Sequence, residues 1–223
     1  AQKLYSKIKQ LEETNDRLHE SQGKDRGYNQ KLQTAFMSSV NVIMKMGEIH
    51  DPFTADHQRR VANIAIAIGA ELGFDADQQE GLRIAGYLHD VGKMAIPPEI
   101  LAKPGKLNPT EYLLIKEHTR VGFEILGELE LPWPIAKITL QHHERINGTG
   151  YPEGLKDEDI LLEARIIGVA DVIEAMSSHR PYRPSLGIEE ALEEIESERG
   201  KAYDPIIVDA CLRLFRDKGY QLL

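Results

Sequence analysis

From about Lys31 to the C-terminus, apolar residues recur three and four positions apart in segment after segment, and no stretch alternates convincingly as a half-buried strand must. A chain with that pattern folds as packed helices. The segments lie near 34–49, 54–72, 76–89, 109–126, 132–144, 160–178, 187–199 and 205–217. Local signals mark their ends. Asn108-Pro109-Thr110-Glu111 supplies an N-cap, a first-turn proline and a third-position glutamate, Asp204-Pro205 repeats cap and proline, and Gly73 closes one helix. Loops rich in Gly and Pro at 92–105 and 147–154 each follow directly on a His-Asp or a His-His pair. The expected fold class is all-α, a multi-helix bundle.

The first residues follow a different rule. Leu4, Ile8, Leu11, Asn15, Leu18 and Gln22 alternate spacings of four and three, a heptad seam with charge outside it. An asparagine in such a seam selects parallel, in-register dimers at some cost in stability. Residues 1–32 are therefore expected to form a coiled-coil linker helix, a parallel homodimerisation segment, and residues 33–223 the globular domain. The chain opens on Ala and a polar helix, which reads as a piece of a longer protein with an upstream sensor domain.

Charge and cysteine narrow the function classes. With 27 Lys and Arg against 36 Asp and Glu the net charge is −9, which argues against a DNA or RNA polymer as partner, because phosphate-backbone binding needs a basic surface. At 223 residues the fold hides roughly 70% of its extended surface without staples, so a bound metal would serve function. The single cysteine, Cys211, sits in an apolar run and reads as a core residue, which fits a reducing, cytoplasmic setting. No apolar run approaches the roughly 18 residues of a membrane span, so no membrane contact is expected of this segment.

The informative residues are polar ones on apolar faces. His57 lies four before Val61, His89 seven after Leu82, His118 four after Leu114, His142 four after Ile138, and Asp171 four after Ile167. One inward histidine is ordinary, but five helices each presenting a ligand type are not. A buried carboxylate must be protonated, paired or bound to a cation. His89-Asp90 and His142-His143 sit at helix ends, where adjacent side chains can bend towards one centre. The set His57, His89, Asp90, His118, His142, His143 and Asp171 is too large for one tetrahedral zinc and suits two divalent metals with open positions. Ligation by N and O without thiolate favours Fe, Mn, Ni or Zn and does not choose among them. Two such metals sharing Asp90 activate a bridging hydroxide for in-line attack on phosphorus, so the expected substrate is a phosphodiester, and Lys93 can hold a non-bridging oxygen.

These residues resemble the HD-GYP subgroup of the HD-domain metal-dependent phosphohydrolases. The resemblance covers roughly 34–215 and rests on HDVGK (89–93), IPPEILAKPGKL (96–107), HHERINGTGYPEGL (142–155), ARIIGVADVIEAM (164–176) and HRPYRP (179–184). It implies an HD-type helical bundle that hydrolyses cyclic di-GMP to linear pGpG, or onward to GMP. It also implies that the seven residues above are metal ligands, that Asp90 and Lys93 are catalytic, and that Tyr151, Gly150, Arg180 and Arg183 contact the substrate. Three positions depart from the family pattern. Phe53 stands where three-metal members carry glutamate, which predicts a two-metal centre; Asn147 replaces a common aspartate; and Glu174 replaces a frequent aspartate. Alternatives are hydrolysis of another cyclic dinucleotide such as 3′,3′-cGAMP, a weak or inactive module that senses one, and a purely structural bundle.

Overall fold

The structure, a computed structural model, describes residues 2–51, 55–178 and 185–222. Among them are ten α-helices, short 3-10 turns and no strand beyond two isolated bridges. In chain order the helices are α1 (Gln2–His50), α2 (Ala55–Glu71), α3 (Ala76–Leu88), α4 (Pro98–Leu101), α5 (Pro109–Lys116), α6 (His118–Gly127), α7 (Ile135–Gln141), α8 (Leu162–Ser177), α9 (Ile188–Ser197) and α10 (Pro205–Leu212). The all-α expectation holds.

The chain divides into two compact units, 1–42 and 43–223. In the first, α1 runs without interruption through Gly23 and Gly27, although each glycine costs about 1 kcal/mol relative to alanine inside a helix. Sequence periodicity split this stretch near residue 32, and the helix does not. Asn15 is exposed, while the other seam residues, Leu4, Ile8, Leu11, Leu18 and Gln22, lie outside the described side chains.

The second unit is built on α2, which packs against α3 on one side and α8 on the other. Val61, Ile64, Ile68, Leu82, Ile84, Ile166 and Ile167 are wholly buried there, as the 3-and-4 spacing requires. The predicted caps are present. Asn108 Oδ1 accepts the Glu111 N–H at 2.9 Å while Glu111 Oε2 accepts the Asn108 N–H at 2.8 Å, and Asp204 Oδ1 accepts the Ile206 N–H at 2.9 Å. The segment read as one helix over 109–126 breaks at Glu117, whose N–H bonds back three residues to Leu114 and so tightens the turn ahead of His118. The Gly- and Pro-rich stretch at 92–105 holds α4 as well as most of a 3-10 turn, Val91–Ala95.

Two glycines lock these elements together around one point. A Cβ at Gly92, just past the His-Asp pair, would lie 1.9 Å from the His118 carbonyl oxygen, and one at Gly168 on α8 would lie 2.5 Å from that of His142. Only a residue without a side chain permits such approaches.

Candidate metal centre

Three of the histidines repeat one local geometry. His89 Nδ1 bonds the Gly86 carbonyl at 2.8 Å, His118 Nδ1 that of Ile115 at 2.5 Å, and His142 Nδ1 that of Thr139 at 2.7 Å. Each is the carbonyl three residues back, at the C-terminal end of α3, α5 or α7, where backbone acceptors have no helical partner. A carbonyl only accepts, so Nδ1 carries the hydrogen and the Nε2 lone pair is turned inward. Three helix C-termini thus converge with their negative ends on one point, which favours a cation there.

The remaining ligands come from other segments. His57 stands in the first turn of α2, Asp90 follows His89, His143 follows His142, and Asp171 lies midway along α8. All seven predicted ligands meet. His57 Nε2 is 3.2 Å from Asp171 Oδ1 and 3.7 Å from Asp90 Oδ2; His89 Nε2 is 3.4 Å from Asp90 Oδ2, and His118 Nε2 is 3.4 Å from Asp90 Oδ1. The histidine rings follow one another at centroid separations of 4.1 to 5.5 Å. Three groups have ligand atoms all within 4.8 Å of one another: His57, His89 and Asp171; His118, His142 and His143; and His89, Asp90 and His142.

This arrangement fits a divalent metal on a physical criterion. The Nε2 atoms of His89, His118 and His142 and Oδ1 of Asp90 are buried without a hydrogen-bond partner among the described residues. Orphaned acceptors in a dry interior are costly, and four aimed at one space are satisfied together by a cation.

Electrostatics divide the set. Burial, reinforced by His89 and His118, pushes His142 down to about 3, and burial beside His142 holds His143 well below its ordinary value. Burial also lowers His118. These three rings are neutral at neutral pH, as a metal-binding imidazole must be. Burial opposes charge on Asp90 and Asp171, yet Lys93 and His89 keep Asp90, and His57 keeps Asp171, well below the usual carboxylate range. Burial opposes the imidazolium of His57 too, but the Asp171 and Glu174 carboxylates outweigh it and raise His57 to about 8.

Around the centre, Lys93 Nζ lies 2.6 Å from Asp90 Oδ2. The Tyr151 ring stacks on His143 with centroids 4.7 Å apart and planes inclined by 28°. Lys116 Nζ stands 4.8 Å from the Tyr151 centroid and 4.7 Å from that of Tyr112. A Cβ at Gly150 would meet the backbone of residues 143–145 at 2.4 to 2.5 Å, so the bare glycine lets the loop close on the protein's own histidine turn. Asn147 keeps an acceptor where aspartate is common, its Oδ1 taking the Thr149 N–H at 3.1 Å and the Thr149 hydroxyl at 2.7 Å. Phe53, Arg180 and Arg183 lie outside the described residues.

Two buried carboxylates beside the centre escape the sequence reading. Glu174 appears there only as a lengthened aspartate; it is fully buried, accepts the His57 Nδ1–H, and is bound by Arg60 at 2.6 Å and by the Ser178 hydroxyl at 2.6 Å. Its position three after Asp171, on the same helix face, is the signal that could have found it. Glu144 appears only inside a quoted motif; it is buried and bonds the loop that carries Tyr151.

Comparison with known proteins identifies the family. The profile of the HD domain family matches residues 41–207. A cyclic di-GMP phosphodiesterase of Thermotoga maritima is 41% identical over 180 residues, covering 80% of this chain and 49% of that protein. The 3′3′-cGAMP-specific phosphodiesterase 1 of Vibrio cholerae is 37% identical over 166 residues, 74% of this chain and 38% of that protein. The chain thus spans about half or less of the length of these curated relatives. Among solved structures, Bd1817, an HDG"Y"P protein of Bdellovibrio bacteriovorus, superposes with a TM-score of 0.59 at 22% identity over 78% of this chain and 58% of that one, which supports the fold. With the family profile matched over most of its length and the His-Asp pair at the heart of a converging ligand set, the chain belongs to the HD domain family.

Proposed function

We propose that the chain is a metal-dependent phosphodiesterase domain that hydrolyses cyclic di-GMP to linear pGpG, with GMP as a possible end product. The observation that carries this reading is the convergence of seven ligand residues on one buried space with four orphaned acceptors. His57, His89 and Asp171 would hold one divalent cation and His118, His142 and His143 a second, with Asp90 facing both groups. Ligation by N and O without thiolate suits Fe or Mn, with Zn or Ni admissible. Divalent cations held there would polarise a phosphoryl oxygen and make hydroxide available at neutral pH.

The chain's own groups do the rest. Hydrolysis breaks one P–O ester bond; the oxygen of water ends on phosphorus and its proton on the leaving ribose oxygen. Lys93, held by Asp90, is placed to bind a non-bridging phosphate oxygen. Tyr151 and Gly150 form the wall beside His143, and Arg180 and Arg183 are assigned to the second phosphate. Their guanidinium forks suit phosphate better than an ammonium does. No described helix is long and apolar enough to cross a membrane. The lone buried Cys211 supports a cytoplasmic setting, residues 1–32 are assigned to homodimerisation, and an upstream sensor domain is assigned to the full-length protein.

A second reading, cleavage of 3′,3′-cGAMP, is favoured by the Vibrio cholerae relative named for that specificity. The deciding experiment is anaerobic reconstitution with Mn or Fe(II), metal counting, and chromatography after incubation with each dinucleotide. Two metals per chain with pGpG or GMP formed support the first reading. Two metals with cyclic di-GMP intact and cGAMP cleaved replace it with the second.

A further inference from the structure

Glu144 follows the two histidines directly and its side chain is buried at 4% exposure, yet its described partners are main-chain amides. Oε1 accepts the N–H of Glu153 at 2.7 Å and of Gly154 at 3.1 Å, and Oε2 accepts that of Leu155 at 3.0 Å. The neighbouring Arg145 turns elsewhere, donating to the carbonyls of His142 and Glu144 and lying 5.1 Å from the Tyr203 ring centroid. A single carboxylate therefore gathers three successive amides of the loop that carries Tyr151, which is also tied at its base by the Gly148 N–H on the Arg145 carbonyl at 2.7 Å. The Tyr151 N–H reaches the His143 carbonyl at 3.3 Å, Gly150 sits against residues 143–145, and Arg120 reaches the Pro152 carbonyl at 3.3 Å. The loop so closed lays the Tyr151 ring on the ring of His143.

His143 differs from its neighbours in a way that makes this consequential. His89, His118 and His142 are each oriented by an Nδ1 bond to a carbonyl three residues back, and His57 by Glu174. The described contacts that orient the half-buried His143 ring are instead ring contacts, with Tyr151 on its outer side. We propose that Glu144 is a positioning residue: by pinning residues 153–155 it seats Tyr151 against His143 and so fixes that imidazole for the metal held with His118 and His142. This inference rests on the proposed metal occupancy, and it assigns Tyr151 an orienting role beside any contact with substrate.

The test uses the whole chain loaded with Mn, and neither readout needs turnover. Amide hydrogen exchange is followed over residues 147–155, and metal is counted after a fixed exposure to EDTA. In Glu144→Gln, exchange at residues 153–155 is expected to rise and metal retention to weaken by about 10-fold, the usual effect of losing a group that orients a ligand. Tyr151→Ala leaves the three carboxylate bonds in place, so it should show the same loss of metal with the 153–155 amides still protected. Metal retained as in the parent chain by either variant, or unchanged exchange in Glu144→Gln, overturns the proposal. A parent chain that holds its metals yet leaves every cyclic dinucleotide intact sinks the phosphodiesterase reading while this inference stands on its own two readouts.

Discussion

Glu174 on α8 and His57 on α2, 117 positions apart, share a hydrogen bond inside the core, and the bond leaves His57 Nε2 facing Asp171 and Asp90. Burial opposes the charge on Glu174, but His57, Ser178 and Arg60 outweigh it and lower the carboxyl to about 2. A carboxylate behind a metal-binding histidine fixes its tautomer and raises its basicity. Glu174→Gln is accordingly expected to weaken retention of the cation at His57, His89 and Asp171 by about 10- to 100-fold, with Glu174→Asp retaining part of it. Chelator competition reads the effect. Unchanged retention in Glu174→Gln would remove Glu174 from the centre.

The convergence of the candidate ligands was legible because helical periodicity puts a residue on a face whatever its chemistry, so His57, His118 and Asp171 betray themselves by standing on apolar stripes. Pairs at helix ends were legible because the loops after them are marked by Gly and Pro. Glu144 was not legible, since its partners are backbone amides whose position depends on the path of the loop and not on residue type. Nor was the break at Glu117, a change of hydrogen-bond register inside an unbroken apolar pattern. The continuity of α1 was missed for the opposite reason. A change in apolar periodicity marks where a helix changes its neighbours, whereas its backbone stops only where something breaks its hydrogen bonds.

The metal-free chain should be most stable close to neutral pH. His142, lowered to about 3, and His143, lowered well below its ordinary value, bind fewer protons folded than unfolded, so stability falls as pH drops below about 6.5. Asp90 and Asp171, also lowered, add to that loss at still lower pH. His57 has the opposite sign. Raised to about 8, it contributes on the order of 2 kcal/mol that is fully present below about pH 6.5 and lost as pH rises through 8. Thermal melts from pH 4 to 9 should therefore trace a dome, and His57→Gln should flatten its alkaline side. An alkaline limb identical in the variant would contradict the assignment.

Metal uptake should release a proton whose yield depends on pH. At pH 7 His57, raised to about 8, is largely protonated, and a ligand nitrogen must be bare. The neutral rings of His118, His142 and His143 have no such proton to lose on Nε2. Titration of Mn into the metal-free chain in weak buffer should liberate close to one proton per chain from His57 at pH 7 and close to none from it at pH 9.5, apart from any proton given up by metal-bound water, and imidazole NMR of the metal-free chain separates the two sources. A His57 ring that is already neutral at pH 7 in the metal-free chain, read by imidazole NMR, would overturn the prediction.

Packing at the α7–α8 contact should be as decisive as any ligand. Gly168→Ala drives a Cβ to within 2.5 Å of the His142 carbonyl, a backbone atom that cannot swing aside. Relief requires α8, with Asp171 and Glu174, to move away from the turn carrying His142. The expected cost is about 1–3 kcal/mol, or roughly 2–4 °C in Tm per kcal/mol for a domain of this size, together with weaker metal retention. A variant that melts and binds metal as the parent does would show that this approach is slack.

The proposed dimer can be tested at one residue. Asn15 occupies the seam of residues 4–22 and is exposed in the single chain, as a seam side chain is until a partner covers it. In a parallel pair, an asparagine in that position meets its own copy and is satisfied only in register; an apolar residue there strengthens association while relaxing register and oligomer number. Sedimentation of the parent chain should give a dimer and deletion of residues 1–32 a monomer. Asn15→Ile should tighten association and add higher oligomers. A parent chain that stays monomeric at tens of micromolar, or an Asn15→Ile chain no more associated than the parent, would leave α1 as a solvated connector, and any signal from upstream would then have to reach the metal centre without a partner helix.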